Sequence, residues 1–400
     1  MVKQTEAVPD ISREVYHDKV LGLLIGSAIG DAMGAPTEMW SRKEIQLDYG
    51  FVDGLDSMVR NPSAEGTWKY NLPAGGTTDD TRWKKLAVEF VLANEMDNLV
   101  PSSFAQYIVD QYQERIRALK ETNGYEPEPF EENLMKMSWL QEWALVAKPF
   151  AENNLQDYSN ALSKFYGGEM TCAGMLYSPV FGAIYPAQPE KAYTLGYSLG
   201  FFDIGYARDM SALVSAMVAS GFAENATPES VLNVNRTIDP NGYFKSRLVG
   251  RSAYRFYQYA KSVDFETNEL KLDDLEETPE IPKSMQQLDT REYVRLKKAF
   301  DMLDQANEDL AFHPGEIYLI TLTAMMFCDF DFEKSMAFVV NYGRDNDTVA
   351  AIAGAILGAY WGADKLPKHM VDQVLTVNKQ ELGIDLKDLA EQLTNKYFNK

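Results

Sequence analysis

Small apolar residues dominate two distant stretches of this chain. Across residues 349–363 nearly every position is apolar, and Ala and Gly prevail. A run that dense and that small predicts a helix buried on all sides. Across residues 18–38, DKVLGLLIGSAIGDAMGAPTE, glycines recur at 22, 26, 30 and 34. On a helix this spacing lines one face, which predicts a groove that a second helix can approach closely. Four helical glycines cost about 1 kcal/mol each relative to Ala, so the packing must offset them.

Helical periodicity also marks 83–96, 103–119, 133–165, 190–222, 290–308, 314–328 and 332–342. The segment 39–76 lacks periodicity and carries several Gly and Pro, so it reads as a loop region with short helical turns. Residues 121–132 read as a surface loop, and the acidic stretch 262–282 as an exposed loop or insertion. Trp139, Trp143 and Phe150 read as core. The tail 365–400 reads as polar helices on the surface. No segment shows the alternation of a strand, and there is no internal repeat or clear linker. The expectation is one all-α domain over residues 1–400, a compact helical bundle with its core at about 18–367 and an irregular region at 223–310.

Composition narrows the function. With 46% hydrophobic and 24% charged residues, the chain has the make-up of a soluble globular protein. Its formal net charge of −21 argues against nucleic acid and anionic membranes as partners. The apolar run 20–36 is interrupted by Asp31 and is short for a membrane span. Residues 1–18 are polar and mixed in charge, unlike a signal peptide, so a cytoplasmic location is expected. Two cysteines (Cys172, Cys328) and three scattered histidines (His17, His313, His369) are too few for a thiolate or imidazole metal site. Any metal would be held by oxygen, which points to Mg²⁺, Mn²⁺ or Ca²⁺.

The oxygen donors come in two clumps. Gly343-Arg344-Asp345-Asn346-Asp347-Thr348 runs directly into the apolar helix at 349–363, and Thr78-Asp79-Asp80-Thr81 opens the helix at 83–96. Acids packed this close repel one another and resist burial. A helix N-terminus relieves them by only about 0.3–1 kcal/mol, whereas a bound cation offsets far more. Thr78 or Asp79 could serve as an N-cap, but a cap needs one such residue, not four in a row. The two clumps are therefore expected to meet and to share one or two divalent ions, suited to hydrolysis of a sugar- or phosphate-bearing substrate. Asp31 inside the apolar run and Glu38 just past it are further candidates.

Two lookalikes are set aside. Asp345-Asn346-Asp347 begins like an EF-hand loop, but Val349 and Ala350 stand where that loop requires an acid or Asn and then Gly. The same Asp-x-Asp resembles the nucleophile motif of haloacid-dehalogenase-type phosphatases, which should end a strand near the N-terminus; Val339-Val340 is a poor strand near the C-terminus.

Taken together, GLLIGSAIGDAMGAPTE, TDDT and NYGRDNDTVAAIAGAILGAYWG, in that order, resemble the ADP-ribosylglycohydrolase family. The resemblance implies an all-α fold with a dinuclear Mg²⁺ or Mn²⁺ cleft. It implies Thr78, Asp79, Asp80, Asp345, Asp347 and Thr348 as metal ligands, and Glu38, Asp80 and Asp345 as catalytic acids. Asp31, Gly174, Ser178, Gly343 and Arg344 are the implied substrate contacts. The implied reaction releases ADP-ribose from modified protein side chains, or from a related ADP-ribose conjugate, by cleavage at the anomeric carbon. Hydrolysis of another ribosyl or nucleoside-like small molecule, and non-catalytic ADP-ribose binding, are the alternatives. The middle of the chain departs from the family pattern. Met175-Leu176-Tyr177-Ser178-Pro179 lacks the Arg many relatives carry, and Tyr206-Ala207-Arg208-Asp209 stands where they have a Thr-His pair. Arg208 reads either as a phosphate contact or as half of an Arg208–Asp209 surface pair.

Overall fold

The computed structural model describes residues 11–59, 71–121, 127–275 and 279–399. The parts of the expected loops at 60–70, 122–126 and 276–278 therefore lie outside the described residues.

The glycine helix runs Arg13–Gly34, opened by the Ser12 side chain accepting from the Val15 amide. Its glycine face does receive a second helix, and that partner is the Ala-rich helix Asn346–Trp361. A Cβ on Gly22 would lie 2.3 Å from the Gly358 carbonyl oxygen, one on Gly26 2.3 Å from that of Gly354, and one on Gly30 2.0 Å from that of Ala350. The obstruction is backbone in each case, so no side chain can swing aside. Gly34 meets the Cα of Asp347 in the same way, at 2.4 Å. The pairing is therefore antiparallel, and it brings the end of the first helix to the start of the second. Around this seam Leu23, Ile25, Ile29, Ile352 and Ile356 are buried, each contributing about 1.5–3 kcal/mol by leaving water. By length and apolarity Arg13–Thr37 could cross a membrane, contrary to the expectation of a short run, but 94% of its apolar window is buried within the fold.

Helices wrap this pair, and one hydrophobic core reaches from Tyr16 to Leu393. Among the described residues strand structure is confined to two-residue pairings, Trp40–Ser41 with Gly343–Arg344 and Met58–Val59 with Asn71–Leu72. The fold is all-α, as expected.

Several local readings are corrected. Residues 127–132 are not loop: a helix runs Pro127–Ala151, because Pro suits the first turn, where its missing N–H has no partner to lose. The 190–222 pattern is two helices, Pro189–Leu199 and Ala207–Gly221, parted after Gly200. The irregular region contains, besides the helix expected at 290–308 and observed at Thr290–Asp304, helices Pro228–Thr237 and Ser252–Asn268. The start of the acidic stretch thus lies in a helix that buries Ala253, Tyr257, Ala260, Val263 and Thr267. Those three- and four-residue steps make an apolar stripe which the acids between them disguise. Nor is the tail merely superficial. Its helices Lys368–Glu381 and Leu386–Phe398 bury Met370, Val374, Leu389 and Leu393, packing on the glycine helix.

Candidate metal-binding active site

The first acidic clump opens the helix Asp79–Ala93, whose N-cap Thr78 accepts from the Asp80 amide through its side chain at 3.3 Å. Behind it, fully buried Asp31 accepts from the Thr78 amide at 2.9 Å, the Thr81 amide at 3.0 Å and the Thr81 hydroxyl at 2.6 Å. This carboxylate satisfies helix N-terminal amides that have no intrahelical acceptor. Burial, then the neighbouring Asp80, pushes its pKa up to about 6, while the Thr81 and Thr78 bonds act the other way. Asp31 does not line the cavity described below; it holds the loop that does. The tail contributes too. Buried Asn378 donates to the Gly75 carbonyl at 3.0 Å and accepts from the Thr77 hydroxyl.

The second clump is set by a sharp turn. Gly343 has φ +86° and Arg344 φ +65°, the left-handed region that costs most residues free energy. A Cβ on Gly343 would come within 2.5 Å of the Trp40 carbonyl oxygen. The Arg344 guanidinium grips buried Glu316 with both its Nε and a terminal nitrogen, at 2.7 and 2.8 Å, and also bonds the Glu308 carbonyl. The Arg344 carbonyl accepts from the Met39 amide at 2.7 Å, and Asn346 donates to the Thr37 hydroxyl at 2.9 Å. These bonds hold Glu38 beside the second clump. Gly343 and Arg344 thus shape the loop, and neither lines the cavity.

The clumps meet. The Thr348 hydroxyl donates to Asp80 at 3.1 Å. Glu38, Asp345 and Asp347 each place a carboxylate oxygen within 4.8 Å of the other two. They line an open cleft together with Met39, Asp79, Asp80, Thr348 and a mostly apolar set: Trp143, Tyr166, Thr171, Cys172, Ala173, Leu176 and Phe312. Burial, then Asp347 and Asp80, raises the Asp345 pKa far above the carboxylate range. Burial and Asp80 push Asp79 up to about 8. Cys172 is likewise raised, by burial and then by Asp345, so its thiol stays protonated and unreactive.

The middle block is scaffold at the positions singled out. The Gly174 amide donates to Asp203 at 2.7 Å, and a Cβ there would fall 2.1 Å from that carboxylate. Ser178 is buried, and its carbonyl accepts from Ser215. Neither lines the cavity. The expected Arg208–Asp209 surface pair does not form: Asp209 is fully buried and takes a two-bond grip from Arg251 at 2.7 and 2.8 Å, while Arg208 bonds the Tyr197 and Ser198 carbonyls at the end of a helix.

The wall residue Phe312 has no signal of its own in the sequence, whereas the passage from Tyr166 to Met175 reads there either as a close-packed helix start or as a backbone surface for a flat ligand, and Trp143 serves both core and cavity. Tyr166 stands just before Gly167 and Gly168, and all three have positive φ. That Tyr-Gly-Gly run was the one local sign of an unusual turn.

Three carboxylate oxygens this close fit a hard divalent cation, and the raised Asp345 pKa marks repulsion that such an ion relieves. The fold is all-helical and gathers five carboxylates into one aromatic-walled cleft. Residues 12–400 match the family model described as ADP-ribosylglycohydrolase, and the chain belongs to that family. The family uses divalent metals and acts on ADP-ribosylated substrates. A solved structure described as an ADP-ribosylglycohydrolase-related protein complex shares the fold, with a TM-score of 0.57 over 96% of this chain and 99% of that one at 17% identity. A stretch of 36 residues is 44% identical to the uncharacterized protein YegU of Escherichia coli (strain K12). That stretch covers 9% of this chain and only 11% of YegU.

Proposed function

We propose that this protein is a metal-dependent glycoside hydrolase that releases ADP-ribose from ADP-ribosylated protein side chains or related ADP-ribose conjugates. The observation that carries the reading is the meeting of the two clumps, with Thr348 bonded to Asp80 and Glu38 beside Asp345 and Asp347. Asp79, Asp80, Asp345, Asp347 and Thr348, with Thr78 behind them, are the oxygen donors that would hold Mg²⁺ or Mn²⁺. When bound, such ions supply Lewis acidity that orients ribose hydroxyls and makes a water more acidic. Glu38 at the rim accepts the proton of the water that attacks the anomeric carbon, and the bond to the departing side chain breaks with its electrons leaving on that group. Asp80 and Asp345 stabilise the positive charge that develops on the ribose. Trp143, Tyr166 and Phe312 exclude bulk water and offer flat apolar faces to the substrate.

A panel of ADP-ribosyl-arginine and ADP-ribosyl-serine peptides, each with Mg²⁺ or Mn²⁺, tests this. Metal-dependent release of ADP-ribose from one of them is expected. ADP-ribose binding without release from any would leave a binding module instead.

One observation favours a second reading. Among the described residues no Lys or Arg lines the cavity, whereas five carboxylates do. A diphosphate entering there needs bound cations or backbone amides to offset the repulsion. An uncharged ribosyl or nucleoside-like substrate needs neither. With free nucleosides added to that panel, turnover of the nucleosides alone would select this reading.

A further inference from the structure

The helix Ser252–Asn268 turns one face to the core, where it packs on the helices Thr290–Asp304 and Pro314–Phe327. Its opposite face steps by three and four through Arg255, Gln258, Ser262 and Phe265 to the C-cap Glu269. Those steps draw one continuous stripe along a helix. Every member is exposed except half-buried Ser262, and Phe265 keeps 65% of its surface in water. The apolar surface continues past the start of the helix. Phe244, Leu248 and Val249 are exposed there, Leu248 almost wholly at 95%, and the Phe244 ring meets Tyr254 of the helix edge-on at 5.2 Å. Exposed apolar groups clustered in this way mark a contact surface.

Charge along the segment is divided. In a chain of net charge −21, residues 240–263 hold Lys245, Arg247, Arg251, Arg255 and Lys261 and no acid. Residues 264–274 hold Asp264, Glu266, Glu269, Asp273 and Asp274, with Lys271 as the one cation. Part of this charge is matched within the fold: Arg251 grips Asp209, and Glu266 has Lys298 at 3.3 Å. Arg255 bonds the neutral Ser252 hydroxyl at 3.2 Å. Turned end for end about Ser262, the stripe is its own complement. Arg255 then faces Glu269, Gln258 faces Phe265, and Ser262 faces itself.

We propose that a second copy of this chain docks here, the two Ser252–Asn268 helices crossing antiparallel about a two-fold axis at Ser262. A two-fold contact joins the same patch of both copies, which is what a self-complementary stripe supplies. The small Ser262 lets the helices approach, and the stem of the partner's Gln258 covers Phe265. Arg255 pairs with the partner's Glu269 at one end, and the symmetric pair closes the other. The same axis brings the Leu248–Val249 tip to the acidic end of the partner's helix, enlarging the contact toward the roughly 1,200 Å² of a stable dimer. The long-range repulsion of two acidic copies is screened beyond about 8 Å at physiological salt, so the local match decides.

Analytical ultracentrifugation of the full chain is the test. A dimer with a dissociation constant of about 10 µM or tighter is expected. Arg255→Glu and Glu269→Arg each set like charges against one another at both ends, so each should weaken the dimer by about tenfold or more. Mixing the two variants should restore it, because in the mixed pair every end joins a cation to an acid. Phe265→Ser should also weaken the dimer, and mixing it with either charge variant should restore nothing. All three positions are exposed, and unchanged circular dichroism would show that each variant folds. A monomeric unaltered protein, a dimer indifferent to these variants, or a charge-variant mixture that associates no better than its parts would overturn the proposal.

Discussion

Along most of their length the glycine helix and the Ala-rich helix touch backbone to backbone, and at one end the same pair delivers Glu38, Asp345 and Asp347 to a shared space. The seam is closed by backbone, with Gly22, Gly26 and Gly30 each facing a main-chain carbonyl of the partner helix. The mouth is the opposite, because buried like charges stand face to face. The contrast shows how a close-packed interface can carry an unfavourable electrostatic cluster: the rigidity that stabilises the seam fixes the acids where they would otherwise move apart.

The sharpest way to break the comparison is at the seam. Gly26→Val would drive a branched side chain into the Gly354 carbonyl, 2.3 Å from where its Cβ must sit. A loss of about 3–5 kcal/mol is expected, measured by denaturant unfolding; a change within about 0.5 kcal/mol would mean that the helices are not this close.

A smaller and opposite effect on stability is expected at the mouth. Asp345→Asn removes the cost of keeping this carboxyl protonated in a buried site beside Asp347 and Asp80. The metal-free protein should then melt a few degrees higher, while turnover falls by about 10²–10³. Normal turnover, or a lower melting temperature, would contradict the picture of a strained acid cluster.

The gentlest probe is pH. Asp79 and Asp31 have folded-state pKa values raised to about 8 and about 6, against about 3.9 in an unfolded chain. The folded state therefore binds more protons, and its advantage, full below about pH 4, is lost as pH rises toward 8. Without metal, melting temperature should fall between pH 5 and pH 8. Mg²⁺ should flatten that slope, because it binds the deprotonated acids. A metal-free protein that becomes more stable over this range would rule the linkage out.

The sequence carried the seam well, since a four-residue glycine spacing is local and has one geometric meaning on a helix. The encounter of Asp80 with Thr348 was also legible, because two acidic clumps that each open a helix require a common explanation. Partnerships with no local sign were not legible. Nothing near Asp209 points to Arg251, and nothing near Thr77 points to Asn378 in the tail. Gly174, Ser178, Gly343 and Arg344 were read as substrate contacts because motif position suggests proximity to a ligand. The structure shows them in backbone turns, close packing and a grip on Glu316, outside the lining of the acidic cleft. The helix Ser252–Asn268 escaped notice because its apolar stripe is sparse among charged neighbours.

The direct meeting of Gly34 with Asp347 has a mechanical consequence. With no side chain between the two helices to act as a cushion, they cannot slide or hinge past each other, so Glu38 and the acids opposite form a single stiff jaw. Any adjustment to guests of different size must come from the facing wall, where Tyr166, Gly167 and Gly168 stand in a row of left-handed backbone. One side of the site is thus an anvil fixed by the core, and variation in what it accepts should be sought on the Tyr166 side.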